Sequence, residues 1–176
     1  MKNLLLLMLT TLSINIACAQ DQPKSFSAND LKKMADAKMF KFTAKDATLP
    51  VDRSGTTPAT GSDRTEDNHK TLSAGYYTSI TPDSVVSYLP YYDKTETHGT
   101  DENASTTVVE DPSKSVATTY DYQVKQKKNG TVTINIKPKG GKVTKYVIQL
   151  QPNGTANIDA TIDDFKVIKY GGTFTN

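Results

Sequence analysis

From Met39 onward, apolar and polar residues alternate with period two: Phe40, Phe42 and Ala44 against Lys41, Thr43 and Lys45. That alternation predicts a half-buried strand. Just upstream the period is helical. Leu31, Met34 and Ala35 share one face, Ser27 is placed to cap and Asp30 sits in the first turn, which predicts a short helix over 28–38. Further on, Tyr76–Ile80 and Val85–Leu89 flank Thr81-Pro82-Asp83-Ser84, whose central residues suit a turn. A hairpin there sets Ile80 against Val85 and Tyr76 against Leu89 on one face, with Tyr77 against Tyr88 on the other. Both faces are then apolar, so a strand covered on two sides is expected, with the helix as cover for the second face. Pro90 has no N–H, so it is expected to end pairing or to mark an edge.

The C-terminal half reads as strand and turn throughout, and its apolar pattern chooses the loop lengths. At Lys127–Thr131 a two-residue Asn-Gly turn would set Lys125 against Ile134 and Gln123 against Ile136. A three-residue loop with a left-handed Gly130 instead sets Val124 against Ile134 and Tyr122 against Ile136. The second register keeps one face apolar and is the expected one. Gln151–Thr155 leads to the same choice, pairing Leu150 with Ala156, Ile148 with Ile158 and Tyr146 with Ala160. Gly140-Gly141 links these hairpins, and Asp163-Asp164 turns into a last strand, Phe165–Tyr170. The expected fold is mainly β: an antiparallel meander of about eight or nine strands, a curled sheet or half-barrel with one short N-terminal helix packed on it.

Two polar stretches, Val51–Thr71 and Asp93–Val116, are rich in Thr, Asp, Gly, Ser and Glu and read as mobile loops. The N-terminus reads differently again. Lys2, the apolar run Leu4–Leu9 and the exit Ala17-Cys18-Ala19 have the parts of a secretory signal peptide over residues 1–19. Residues 20–176 then form a single exported domain, periplasmic or extracellular. Lipid attachment at Cys18 is the alternative, although Asn15 and Ile16 do not suit that cleavage. Cys18 is the only cysteine, so export after residue 19 leaves no disulfide and no thiol nucleophile. No second apolar segment is present, so no integral membrane segment is expected. A net charge of +2, with Lys and Arg scattered among Asp and Glu, lends nucleic-acid binding no support.

The stretch "DSVVSYLPYY" (Asp83–Tyr92), followed by "QLQPNGTANI" (Gln149–Ile158) and "VIKYGG" (Val167–Gly172), resembles the family called domain of unknown function 4251. The order of signal peptide, short helix, Phe40-Lys41-Phe42 strand, tyrosine-rich hairpin and closing meander is also similar, over roughly 38–172. The resemblance implies an all-β domain exported by Bacteroidetes-type bacteria, and no chemistry. Members commonly continue with Gly-Arg-Ala-Tyr where this chain has Asp93-Lys94-Thr95-Glu96; Lys94 can keep the positive charge.

Candidate chemistry is sparse. Asp93, Glu96, His98, Asp101 and Glu102 carry ligand atoms but lack an EF-hand spacing or a paired-histidine motif, and read as a solvated acidic loop. His69 and His98, the only histidines, lie in polar segments, and no G-x-S-x-G elbow accompanies them. The pairs Asp163-Asp164 and Glu110-Asp111 sit at a turn and before a proline, with no sign of a shared cleft. No catalytic residue, metal site or cofactor is therefore expected. Tyrosines remain: Tyr76, Tyr77 and Tyr88 are expected to pack between sheet and helix, whereas Tyr91 and Tyr92 follow the proline and are expected to be exposed. A tyrosine offers apolar area plus a hydroxyl, so Tyr88, Tyr91, Tyr92 and Lys94 are the candidate binding residues. The expected partner is a small ligand or an envelope protein, with an envelope enzyme or a structural accessory subunit as the other readings.

Overall fold

Ser27 stands in an extended conformation and its hydroxyl accepts the Asp30 N–H at 3.1 Å, which supplies one of the orphan donors at a helix start. The helix, α1 (Ala28–Ala37), ends on Lys38 in the left-handed region at φ 54°. A computed structural model describes residues 25–49, 69–94, 108–162 and 166–176, apart from the side chains of 92–94, 108–111 and 166. After α1 come β1 (Phe40–Thr48), β2 (His69–Thr71), β3 (Tyr77–Ile80), β4 (Val85–Lys94) and β5 (Val108–Ala117). They are followed by β6 (Tyr120–Gln126), β7 (Val132–Pro138), β8 (Val143–Leu150), β9 (Thr155–Ile162) and β10 (Lys166–Thr175).

All pairings are antiparallel, in the order β5-β4-β3-β1-β10-β9-β8-β7-β6, with β2 hung on β1. The β1–β10 ladder joins the two runs of hairpins. Strands β5 and β6 end the order, yet only residues 118–119 separate them in the chain. Across that seam the Tyr120 hydroxyl donates to the Thr81 carbonyl at 2.8 Å and to the Pro82 carbonyl at 3.0 Å. The sheet is thereby nearly closed into a barrel, which leaves few unpaired edges.

Both predicted three-residue loops form. Val124 faces Ile134, Tyr122 faces Ile136, Leu150 faces Ala156 and Ile148 faces Ile158. Gly130 and Gly154 take φ of 83° and 81°, the left-handed conformation this bulged loop needs. Phe40, Phe42 and Ala44 point inward as their alternation predicts. A bulge after Ala44 then resets the phase so that Ala47 is buried as well.

Several expectations are corrected. Leu31, Met34 and Ala35 join the core of the barrel and α1 rests on β6 and β7, so the helix does not cover the outer face of the tyrosine hairpin. The Tyr122 hydroxyl donates to the Ala35 carbonyl at 2.6 Å and holds it there. Pairing does not stop at Pro90, because β4 runs on to Lys94 and Pro90 lies opposite Pro112 of β5. Two facing prolines fit a position where both N–H groups would point away from the shared ladder. Strand β3 covers only residues 85–88 of β4, so on that side Pro90 has no ladder partner to miss.

The last strand does not stop at Tyr170 but crosses Gly171-Gly172 and reaches Thr175. A Cβ on Gly172 would come within 2.0 Å of the Thr43 carbonyl oxygen, so glycine permits the close approach of β10 to the bulged β1. The main order holds nine strands, in line with the expected meander, and among the described residues the short β2 adds a tenth. The two polar stretches are partly strand, since His69–Thr71 forms β2 and most of β5 lies within 108–116. Residues 1–24, 50–68, 95–107 and 163–165 lie outside the described residues, and with them the leader, Cys18, His98, the Asp163-Asp164 turn and Phe165.

Candidate functional site

Of the candidate residues, Tyr88 is half-buried on β4, opposite Tyr77, and its ring lies 5.5 Å from that of Tyr76. Lys41 places its ammonium 4.5 Å from the Tyr77 ring centroid. Tyr91 is buried, with 6% of its surface exposed, which overturns the expectation of an exposed residue after the proline. The cause is the continued pairing of β4 with β5, which keeps Ser87, Leu89 and Tyr91 on the inward phase. The side chains of Tyr92 and Lys94 lie outside the described ones. The structure therefore does not bring Tyr88 and Tyr91 to one surface.

Instead, Tyr91 enters a group of hydroxyls inside the barrel. Thr78 and Ser87, opposite each other on β3 and β4, share a hydrogen bond of 3.2 Å. Tyr170 donates to the Pro90 carbonyl at 2.7 Å, which uses the acceptor that the end of β3 leaves free. Tyr146 of β8 reaches toward Ser87, Tyr91 and Ser115. These approaches remain electrostatic: neither the Tyr91 nor the Tyr146 hydroxyl meets the distance and angle of a hydrogen bond. Burial pushes the hydroxyl pKa of both above the usual tyrosine value, and for Tyr91 the neighbouring Tyr146 adds to it. Both therefore stay protonated at physiological pH.

Acid–base chemistry finds no support in this interior. Among the described residues every carboxylate is exposed or half-buried, His69 is exposed on β2, and no group of three metal-ligating side chains occurs. No helix among them is long and apolar enough to cross a membrane.

An open cleft of about 900 Å³ lies between α1 and the adjoining ends of β1 and β3. Its apolar wall comes from Phe26, Met34, Met39, Phe40, Ile80 and Pro82, and Asp30, Lys33 and Lys41 stand on its lining. Met39 is 61% exposed, the most exposed large apolar side chain described. Sequence reasoning passed over this residue, although a signal was present: Met39 falls on the polar phase of the Phe40-Phe42-Ala44 alternation, where an apolar side chain has no core to enter. Asp30 is engaged by the Ser27 hydroxyl at 2.7 Å in the helix cap. Lys33 is exposed beside it, and Lys41 reaches the lining with its ammonium over the Tyr77 ring.

Comparison with known proteins agrees with this fold. The family model described as "Domain of unknown function (DUF4251)" matches residues 23–174, and the chain belongs to that family. A crystal structure of a DUF4251 family protein from Bacteroides eggerthii DSM 20697, at 1.95 Å resolution, is similar with a TM-score of 0.50 and 11% identity. The similarity covers 86% of this chain and 88% of that one. At such identity the likeness concerns the fold alone. No curated protein matches the chain in sequence.

Proposed function

We propose that this protein is an exported, non-enzymatic binding domain of the cell envelope, and that it takes a small amphipathic ligand in the cleft between α1 and the ends of β1 and β3. The exposed Met39 beside Phe26, Phe40 and Pro82 carries the reading, because a solvent-open apolar wall is costly unless something covers it. Lys33 and Lys41 on the same lining favour a ligand with a negatively charged head. Export rests on the basic, apolar and Ala-x-Ala parts of residues 1–19.

Anilinonaphthalene sulfonate, an apolar body with an anionic group, is a suitable probe. Its fluorescence should rise on the native protein and should not rise on a Met39→Glu variant whose melting temperature is unchanged. No rise on the native protein, or an equal rise on the variant, would remove the cleft as the site. For export, the mass of the protein recovered from the envelope should correspond to a chain starting at Gln20. Retention of residues 1–19, or a lipid on Cys18, would refute that part.

A further inference from the structure

The outer face of β6, β7 and β8 carries a second feature, unrelated to the cleft. A shallow open groove of about 330 Å³ is lined by Asp121, Gln123, Lys125, Asn135, Lys137 and Lys145. The sequence scatters these lysines, and only strand register gathers them. Ile136 lies opposite Tyr146, so one step further the outward-facing Lys137 and Lys145 become neighbours across the strands. Like charges so placed repel each other. The one acid of the groove, Asp121, lies opposite Lys137 but forms its ion pair with Lys139. Among the described residues, Lys125, Lys137 and Lys145 form no ion pair.

Between these cations stand two amides, Gln123 and Asn135, directly opposite each other. An amide both donates and accepts, as a sugar hydroxyl does, while an ammonium only donates and suits a carboxylate. No aromatic ring lines the groove, and it is too shallow to enclose a ligand. We propose that this face binds an acidic polysaccharide, a polyuronate-type chain laid across the three strands, with Lys125, Lys137 and Lys145 on carboxylates and Gln123 and Asn135 on hydroxyls.

Affinity electrophoresis tests this with three polymers in the gel: polygalacturonate, neutral dextran and polyglutamate. Polygalacturonate should retard the protein in a salt-sensitive way, dextran should not, and polyglutamate should do so more weakly because it lacks hydroxyls. The double variant Lys137→Gln/Lys145→Gln should lose about tenfold or more in apparent affinity for polygalacturonate. Its melting temperature should hold or rise, since the like-charge pair is relieved. Asn135→Ala should weaken polygalacturonate binding and leave polyglutamate binding as it was. The proposal is overturned if polygalacturonate does not retard the protein, if the double variant is retarded equally, or if polyglutamate and polygalacturonate bind alike. The last result would mean attraction to any polyanion, nucleic acid included.

Discussion

The two ends of the barrel interior are built from different chemistry. At the helix end, Leu31, Met34 and Ala35 meet an aliphatic and aromatic core, and the turns at Gly130 and Gly154 lie beside Ala28 and Phe26. Toward the other end the interior takes in Thr78, Ser87, Tyr91, Tyr146 and Tyr170, all buried. Apolar burial needs only area and fit, so the helix end tolerates imprecise geometry. A buried hydroxyl either finds a partner or carries an uncompensated desolvation cost. Tyr170 has such a partner in Pro90, while Tyr91 and Tyr146 have none. Stability is therefore expected to be concentrated at the helix end, with strain at the hydroxyl end.

The largest test of that contrast is Leu31→Ala. The side chain is fully buried, so its loss should cost about 2–5 kcal/mol in denaturant unfolding. A cost below about 1 kcal/mol would mean that α1 is not the element closing the core. Alkaline pH tests both ends at once. Burial raises the pKa of Tyr91, Tyr122 and Tyr146, with Tyr120 and Asp36 adding to it at Tyr122. A raised pKa means that the folded state holds the proton longer. Stability is thus fully present below the unfolded tyrosine pKa of about 10 and falls above it. The fall is up to about 1.4 kcal/mol per pH unit for each of the buried Tyr91 and Tyr146, and less for the half-buried, solvent-screened Tyr122. Melting temperature between pH 9 and 11, followed with tyrosinate absorbance, should show that slope. Changing Tyr91 and Tyr146 to Phe together should remove more of the slope than Tyr122→Phe; an unchanged slope would show that the hydroxyl end is open to water. Smaller again is Tyr170→Phe, which leaves the Pro90 carbonyl unpaired and should cost about 1–3 kcal/mol.

The helix end was also the legible one. Ser27 as cap, the Leu31-Met34-Ala35 face and both three-residue loops follow from residues a few places apart, where one periodicity decides the outcome. The hydroxyl end depends on long-range pairing. Ser-Lys-Ser-Val in β5 reads as loop because an edge strand with one covered face can be polar, and only the ladder to β4 shows it as strand. Pro90 and Gly171-Gly172 read as breakers, yet each lies where its defect matches the partner strand: a proline where no β3 residue awaits its N–H, a glycine where β1 presses close. Tyr91 was misplaced for the same reason. The groove lysines stayed hidden because their neighbours belong to other strands.

The finest test is Tyr146→Phe, since it separates ring from hydroxyl within the polar end. The ring is fully buried and stays in the variant, so no cavity of consequence opens. The hydroxyl makes no hydrogen bond, and its removal releases a desolvated dipole rather than breaking a contact. Stability should therefore hold or rise by up to about 1 kcal/mol, opposite in sign to Tyr170→Phe. Denaturant midpoints at equal m-values measure both. Should Tyr146→Phe instead cost as much as Tyr170→Phe, its approaches to Ser87, Tyr91 and Ser115 must be true hydrogen bonds in solution. The hydroxyl end would then be a satisfied network, and the contrast between the two ends would be one of composition without a difference in strain.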